Sequence, residues 1–249
     1  MKIIGHRGAA GLALENSKEA FLLARKHKVD AIELDVRLTK DKQLVVIHDE
    51  DTGRLAERDA RVRARTLAEL KRIKLKDGQH LLSLQDVLKL RGRTPLLIEL
   101  KDARSAAVLL PLLAKEARIS VASFRHEEVR KITKERPDIP IYLLSRSKPL
   151  AIIQKADFYG AQGIGLNRWI INPVTYARAR RRGLDIFVYK VNDKFAAWWL
   201  RVLYPYLGLC TGYPDRFQGA FWHTPKLPAW KPPKPDRPVT GKAAKKPTR

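Results

Sequence analysis

The sequence predicts an α/β protein: a (β/α)8 TIM barrel with a small insertion after the second strand and a disordered basic C-terminal tail. Three observations carry this. The chain has 249 residues, a length typical of such barrels folded as one domain. Its apolar runs are short and separated by stretches of helical spacing, the alternation that builds a parallel sheet. Charged and imidazole side chains gather where the first runs end, and in a parallel barrel functional groups collect on that rim.

Lys2 to Gly5 is the first strand, and at His6-Arg7-Gly8 it passes into a polar loop. Asn16 or Ser17 can cap a helix whose apolar positions include Ala20, Phe21, Leu23 and Ala24. Ala31 to Val36 is the second strand. Side chains two apart on a strand point the same way, so Glu33 and Asp35 share one face while Ile32, Leu34 and Val36 take the other. The link Thr39-Lys40-Asp41-Lys42 is too short for a parallel crossover, so Leu44 to His48 must turn back as a hairpin. That turn returns His48 to the level of Glu33 and Asp35. Residues 51–92 read as an insertion over the mouth of the fold, with helical spacing over Leu67 to Leu75 and Leu84 to Leu90.

Pro95 to Lys101 is the third strand, rich in leucine and isoleucine as a doubly covered parallel strand should be, and it sets Glu99 and Lys101 on one face. Runs at Ile119 to Phe124, Ile139 to Leu144, Gly163 to Leu166, Asp185 to Val191 and Leu207 to Thr211 complete eight strands. The glycines from Gly160 to Gly165 enter a strand rather than open a helix, so they do not form a nucleotide loop. Phe195, Trp198, Trp199, Leu200, Leu203, Tyr204 and Tyr206 read most simply as a helix packing on the barrel, with contact at a membrane interface as the second reading. The barrel domain is 1–223. From 224 to 249 the chain holds seven of its 15 prolines and eight basic residues against the single acid Asp236, a formal +7 that leaves +17 of the total +24 in the barrel. Such a segment cannot bury apolar area and is expected to be disordered.

Cys210 is the only cysteine, which excludes an intramolecular disulfide and a thiolate cluster. Any metal is therefore held by oxygen or imidazole. No apolar stretch approaches the length of a membrane span, and the chain opens on a strand rather than a secretory signal. Cytoplasmic residence is expected, with peripheral contact at the inner membrane face. The charge of +24 concerns partners rather than fold: anionic membrane, nucleic acid or a phosphorylated small molecule.

Glu33 and Asp35 repel each other unless a proton or a cation lies between them, so the pair is either a coupled acid/base dyad or a metal clamp. Adding Glu99 gives an all-oxygen set suited to one hard divalent cation, Mg²⁺ or Ca²⁺. His6 and His48 would flank it as acid and base. Arg7 and Lys101 offer positive charge to a phosphate. His27, His80, His126 and His223 are read as surface or structural histidines.

His6-Arg7-Gly8, Glu15-Asn16, Glu33-Leu34-Asp35-Val36 with Thr39-Lys40-Asp41, Val46-Ile47-His48-Asp49 and Glu99-Leu100-Lys101 together resemble the motif series of the glycerophosphodiester phosphodiesterase family, with weaker matches as far as Tyr213-Pro214-Asp215. The resemblance implies metal-dependent hydrolysis of glycerophosphodiesters, or of lysophospholipids, to sn-glycerol 3-phosphate and an alcohol. The related phospholipases suggest a cyclic phosphate made by the neighbouring glycerol hydroxyl. It also implies that Glu15 supports the site or touches substrate. Leu14 stands where the family usually has proline, Tyr189-Lys190-Val191-Asn192 replaces Trp-Thr-Val-Asn, and Gly212 replaces an acid; these departures alter the far wall of the pocket. The rival reading is a catalytically silent basic barrel that binds nucleic acid or anionic membrane. Anion binding has no use for three convergent carboxylates, which disfavours the rival, and nucleic acid with it.

Overall fold

In a strand covered on both sides, alternate side chains enter opposite layers, and β2 (Ala31–Leu38) and β4 (Leu96–Leu100) show the division. Ile32, Leu34, Val36, Leu96, Ile98 and Leu100 join the layer between sheet and helices. Leu97 points into the barrel instead, where it packs with Ile4, Ala122, Leu144, Phe187 and Cys210. Glu33, Asp35 and Glu99 are buried on that inner side, toward the rim. The computed structural model describes residues 1–222. His223 and the predicted tail, 224–249, lie outside the described residues.

Eight parallel strands close the barrel: β1 (Ile3–Gly5), β2, β4, β5 (Ile119–Ser123), β6 (Ile141–Ser145), β7 (Gly163–Asn167), β8 (Asp185–Tyr189) and β9 (Gly208–Thr211). Each pairs with the next, and β9 returns to β1, so no edge is left open. The predicted hairpin is β3 (Leu44–Val46), antiparallel to β2 with Val36 opposite Val46 and Leu38 opposite Leu44. It has room because β1 ends at Gly5, level with Ile32, and leaves the upper edge of β2 without a partner. The register continues past β3 and carries His48 to the height of the acids. At the turn, Gln43 N donates to Thr39 Oγ1 at 2.9 Å.

Helix α1 (Lys18–Lys26) buries Ala20, Phe21 and Ala24. Its cap is Ser17, whose hydroxyl accepts from Ala20 N at 3.1 Å; Asn16, the other candidate, is used elsewhere. Gly8 shows why the loop before this helix is glycine. It has φ +84°, and a Cβ there would lie 2.7 Å from the backbone carbon of Ala20. Gly8→Ala is expected to cost about 3 kcal/mol, from left-handed strain plus overlap with a helix that cannot move. An unchanged denaturant midpoint would contradict this.

Two expectations are corrected. Leu84 to Leu90 is not part of the insertion: it is α3, which follows the short helix α2 (Leu67–Lys71), and its Leu84 and Val87 lie in the main core. A Ser83/Asp86 capping box starts it, and it fills the place between β2 and β4 that a barrel helix must fill. The insertion is thus shorter and carries its own small core of Val45, Ile47, Leu55, Val62, Leu70 and Leu75 against β3.

The remaining helices, α4 (Ser105–Leu112), α5 (His126–Glu135), α6 (Pro149–Tyr159), α7 (Pro173–Arg181) and α8 (Lys194–Leu203), alternate with the strands. The second correction concerns α8. It meets the barrel through Ala197, with Leu200 and Tyr204 also packed on the core. Phe195, Trp198, Trp199, Leu203 and Tyr206 are exposed. On β7, Gly165 makes space: a Cβ would stand 2.4 Å from the Phe187 ring.

Candidate active site

Three neighbouring strands aim their ends at one cavity. From β1 come His6 and Arg7; from β2, Glu33; from β4, Glu99 and Lys101; and His48 follows β3. Ligand oxygens of Glu33, Asp35 and Glu99 all lie within 4.8 Å of one another, and the three residues are buried. Arg7 has φ 51°, which turns its amide to donate to Glu33 Oε2 at 2.8 Å. Its guanidinium donates from Nη1 to Glu15 Oε1 at 2.7 Å and sets Nε 3.2 Å from Asp35 Oδ2. Lys101 Nζ lies 2.8 Å from Asp35 Oδ1 and also bonds Glu99 Oε1.

The electrostatics differ among the acids. Burial, then the charges of Asp35 and Glu99, pushes the Glu33 carboxyl well above its usual range. Burial and Asp35 raise Glu99. Burial works against ionising Asp35 too, but Lys101 and Arg7 outweigh it and hold that carboxyl well below the usual value. The donor set is therefore all oxygen, crowded, and short of positive charge around Glu33, as a hard divalent cation requires.

The two histidines are held differently. Burial, and then the charge of Arg7, lowers His6 to about 4, so its ring is neutral near pH 7. His48 is also lowered, mainly by burial. Its Nδ1, however, lies 2.7 Å from Asp49 Oδ1, and its backbone oxygen accepts from Arg37 Nε at 2.7 Å.

A profile of the glycerophosphoryl diester phosphodiesterase family matches residues 6–216. The chain belongs to that family. It is therefore an enzyme, a phosphoric diester hydrolase acting on glycerophosphodiesters, and the silent-barrel reading is set aside. It is 34% identical over 238 residues to YhdW of Bacillus subtilis (strain 168), covering 86% of this chain and 96% of that one. It is 30% identical over 213 residues to the glycerophosphodiester phosphodiesterase of Caldanaerobacter subterraneus subsp. tengcongensis, covering 77% and 86%. Its fold matches that of an Oleispira antarctica phosphodiesterase solved with the product sn-glycerol-3-phosphate, at TM-score 0.81 and 20% identity over 87% of this chain and 94% of that one.

All eight residues singled out in the sequence meet in this phosphodiesterase around one site, although Asp35 and Glu15 stand behind the cavity surface rather than on it. Three others went unassigned. Asn16 is buried at φ 57° and donates from Nδ2 to Asp35 Oδ2 at 3.0 Å. Asp49 holds His48. Arg54, from the insertion, donates from Nε to Asp49 Oδ2 at 2.6 Å and from Nη2 to Glu15 Oε1 at 2.6 Å, tying the supports of Arg7 and His48 together. The adjacency of Asp49 to His48 was a usable signal; an arginine in an irregular segment was not. On the far wall, Arg146 stacks over Phe124 at 4.8 Å, and the Tyr189 hydroxyl donates to Ser145 O at 2.8 Å.

Proposed function

We propose that this enzyme hydrolyses glycerophosphodiesters to sn-glycerol 3-phosphate and an alcohol, using one divalent cation, Mg²⁺ or Ca²⁺, held by Glu33, Asp35 and Glu99, with His6 and His48 moving the protons. The supporting observation is the convergence of three buried carboxylates, with Glu33 and Glu99 on the wall of a cavity that both histidines line and Asp35 behind it. When bound, the cation would supply positive charge to phosphoryl and glycerol oxygens.

His6 lacks a carboxylate partner among the described residues and is neutral near pH 7, which fits it to take the proton of the glycerol hydroxyl beside the phosphate. That oxygen attacks phosphorus within the same molecule, which carries the proximity advantage of an intramolecular step. The Asp49 carboxylate at Nδ1 of His48 partly offsets the burial that lowers this ring, and His48 gives a proton to the departing alcohol oxygen. The roles then reverse. His48 takes a proton from water as it opens the cyclic phosphate, and His6 returns its proton to the glycerol oxygen. Arg7 and Lys101, both on the cavity wall, offset charge on the phosphoryl oxygens. Glu15 keeps Arg7 in place with help from Arg54.

The test is release of sn-glycerol 3-phosphate from glycerophosphocholine by the full chain, with lysophosphatidylcholine assayed in parallel to learn whether an acyl chain is accepted. Turnover is expected to vanish with chelator and to return with Mg²⁺ or Ca²⁺. Chelator-insensitive turnover would remove the cation from this account, and phosphocholine as product would show that a different bond is cut.

A further inference from the structure

Residues three and four apart on a helix share a face, and on α8 the positions 195, 198, 199 and 202 follow that step, with Tyr206 beyond its end continuing it. All are apolar or aromatic. All face solvent: Phe195 is 69% exposed, Trp198 42%, Trp199 46%, Val202 53% and Tyr206 47%, with Leu203 beside them at 56%. The rings pack on one another rather than on the barrel. Trp198 and Trp199 meet edge to face at 4.9 Å, and Phe195 meets Trp199 at 6.2 Å. A barrel helix ordinarily turns its apolar face inward. Here α8 is apolar on both faces, and an outward stripe of this size marks a surface that something covers.

The charges around the stripe select the occupant. Helix α8 contains no acidic residue; Asp193, just before it, is used as the cap and accepts from Ala196 N at 2.8 Å. Arg180 stands over the Tyr206 ring at 5.0 Å, Arg201 over Phe221 at 4.8 Å, and Lys194 is exposed at the start of the helix. A second copy would bring the same cations, on a chain of formal charge +24, against themselves. The chain's own residues 224–249, at +7, meet the same opposition. An anionic lipid surface meets none. Tryptophan and tyrosine favour the zone between hydrocarbon and headgroup, where neighbouring arginine and lysine reach lipid phosphates.

We propose that the outer face of α8, with Tyr206 and Phe221 at its margin, docks this protein on the interfacial zone of an anionic bilayer. None of these residues lines the cavity that holds His6 and His48. Docking and turnover of a soluble substrate are therefore separable, and the inference stands or falls independently of the catalytic proposal.

The experiment is co-sedimentation of the full chain with vesicles of phosphatidylcholine alone or mixed with phosphatidylglycerol. The wild type is expected to bind only the mixed vesicles. Trp198→Ser/Trp199→Ser should lose about tenfold or more of that binding, Trp198→Phe/Trp199→Phe should keep most of it, and both should unfold at the wild-type temperature. Undiminished binding of the serine variant would assign the interaction to charge alone and overturn the proposal, as would absence of binding to either vesicle. Hydroxyl-radical footprinting without lipid supplies the remaining check. Trp198 and Trp199 should be oxidised in the free protein and protected by mixed vesicles. Protection without lipid would overturn the proposal, in favour of a second copy if the protein sediments as a dimer and of its own tail if it sediments as a monomer.

Discussion

His6→Ala is expected to lower kcat for glycerophosphocholine by about a thousandfold, the range of a lost general base. The same loss should appear whatever alcohol leaves, because the proton that we propose His6 takes would belong to the glycerol half of every substrate. His48→Ala should behave differently. With choline as leaving group its loss should be comparable, since an alkoxide leaves poorly without a proton. With a nitrophenyl ester of glycerol phosphate the loss should shrink to about tenfold, because nitrophenolate leaves unaided. The distinction rests on one contact: Asp49 Oδ1 lies 2.7 Å from Nδ1 of His48, while His6 has no such partner among the described residues. Measuring kcat for both variants on both substrates decides it. If His6→Ala is the variant rescued by the better leaving group, the two assignments are exchanged.

The parts of this site that the sequence disclosed are those governed by a strand's period of two. Glu33 and Asp35 face inward because Ile32, Leu34 and Val36 must face the helices, and Glu99 and Lys101 follow the same rule against Leu96, Ile98 and Leu100. The return of His48 follows from the shortness of the Thr39 to Lys42 link, and the antiparallel register of β2 and β3 carries it out. Helical spacing says less. It marks Leu84 to Leu90 as a helix but cannot say whether its apolar side meets the barrel or an insertion, and it gives α8 an apolar stripe without saying that Ala197, rather than the tryptophans, is the contact. Asn16 and Ser17 are equally good caps by composition. The choice is made in three dimensions, where a buried Asp35 needs the Asn16 amide and leaves the helix end to Ser17.

Cation affinity at the carboxylates is expected to rise with pH, about tenfold per unit for each proton displaced. The direction follows from the acids themselves. Burial first, and then their mutual repulsion, raises Glu33 and Glu99, so without a cation these groups retain protons to higher pH than free carboxylic acids do. Asp35 does not share this behaviour, because Lys101 and Arg7 keep it ionised despite its burial. A divalent ion entering among the three must therefore expel protons chiefly from the two glutamates, and its affinity should gain as pH climbs until those protons are already gone. Titration calorimetry of Mg²⁺ or Ca²⁺ in two buffers of different ionisation enthalpy counts the protons directly. Glu33→Gln should weaken binding by about a hundredfold and reduce the protons released, since the amide can still offer an oxygen but has no proton to lose to the ion. Binding of undiminished strength in that variant, or binding that releases no protons between about pH 5 and 8, would mean that the cation sits away from Glu33, and the clustering of the three acids would need another cause.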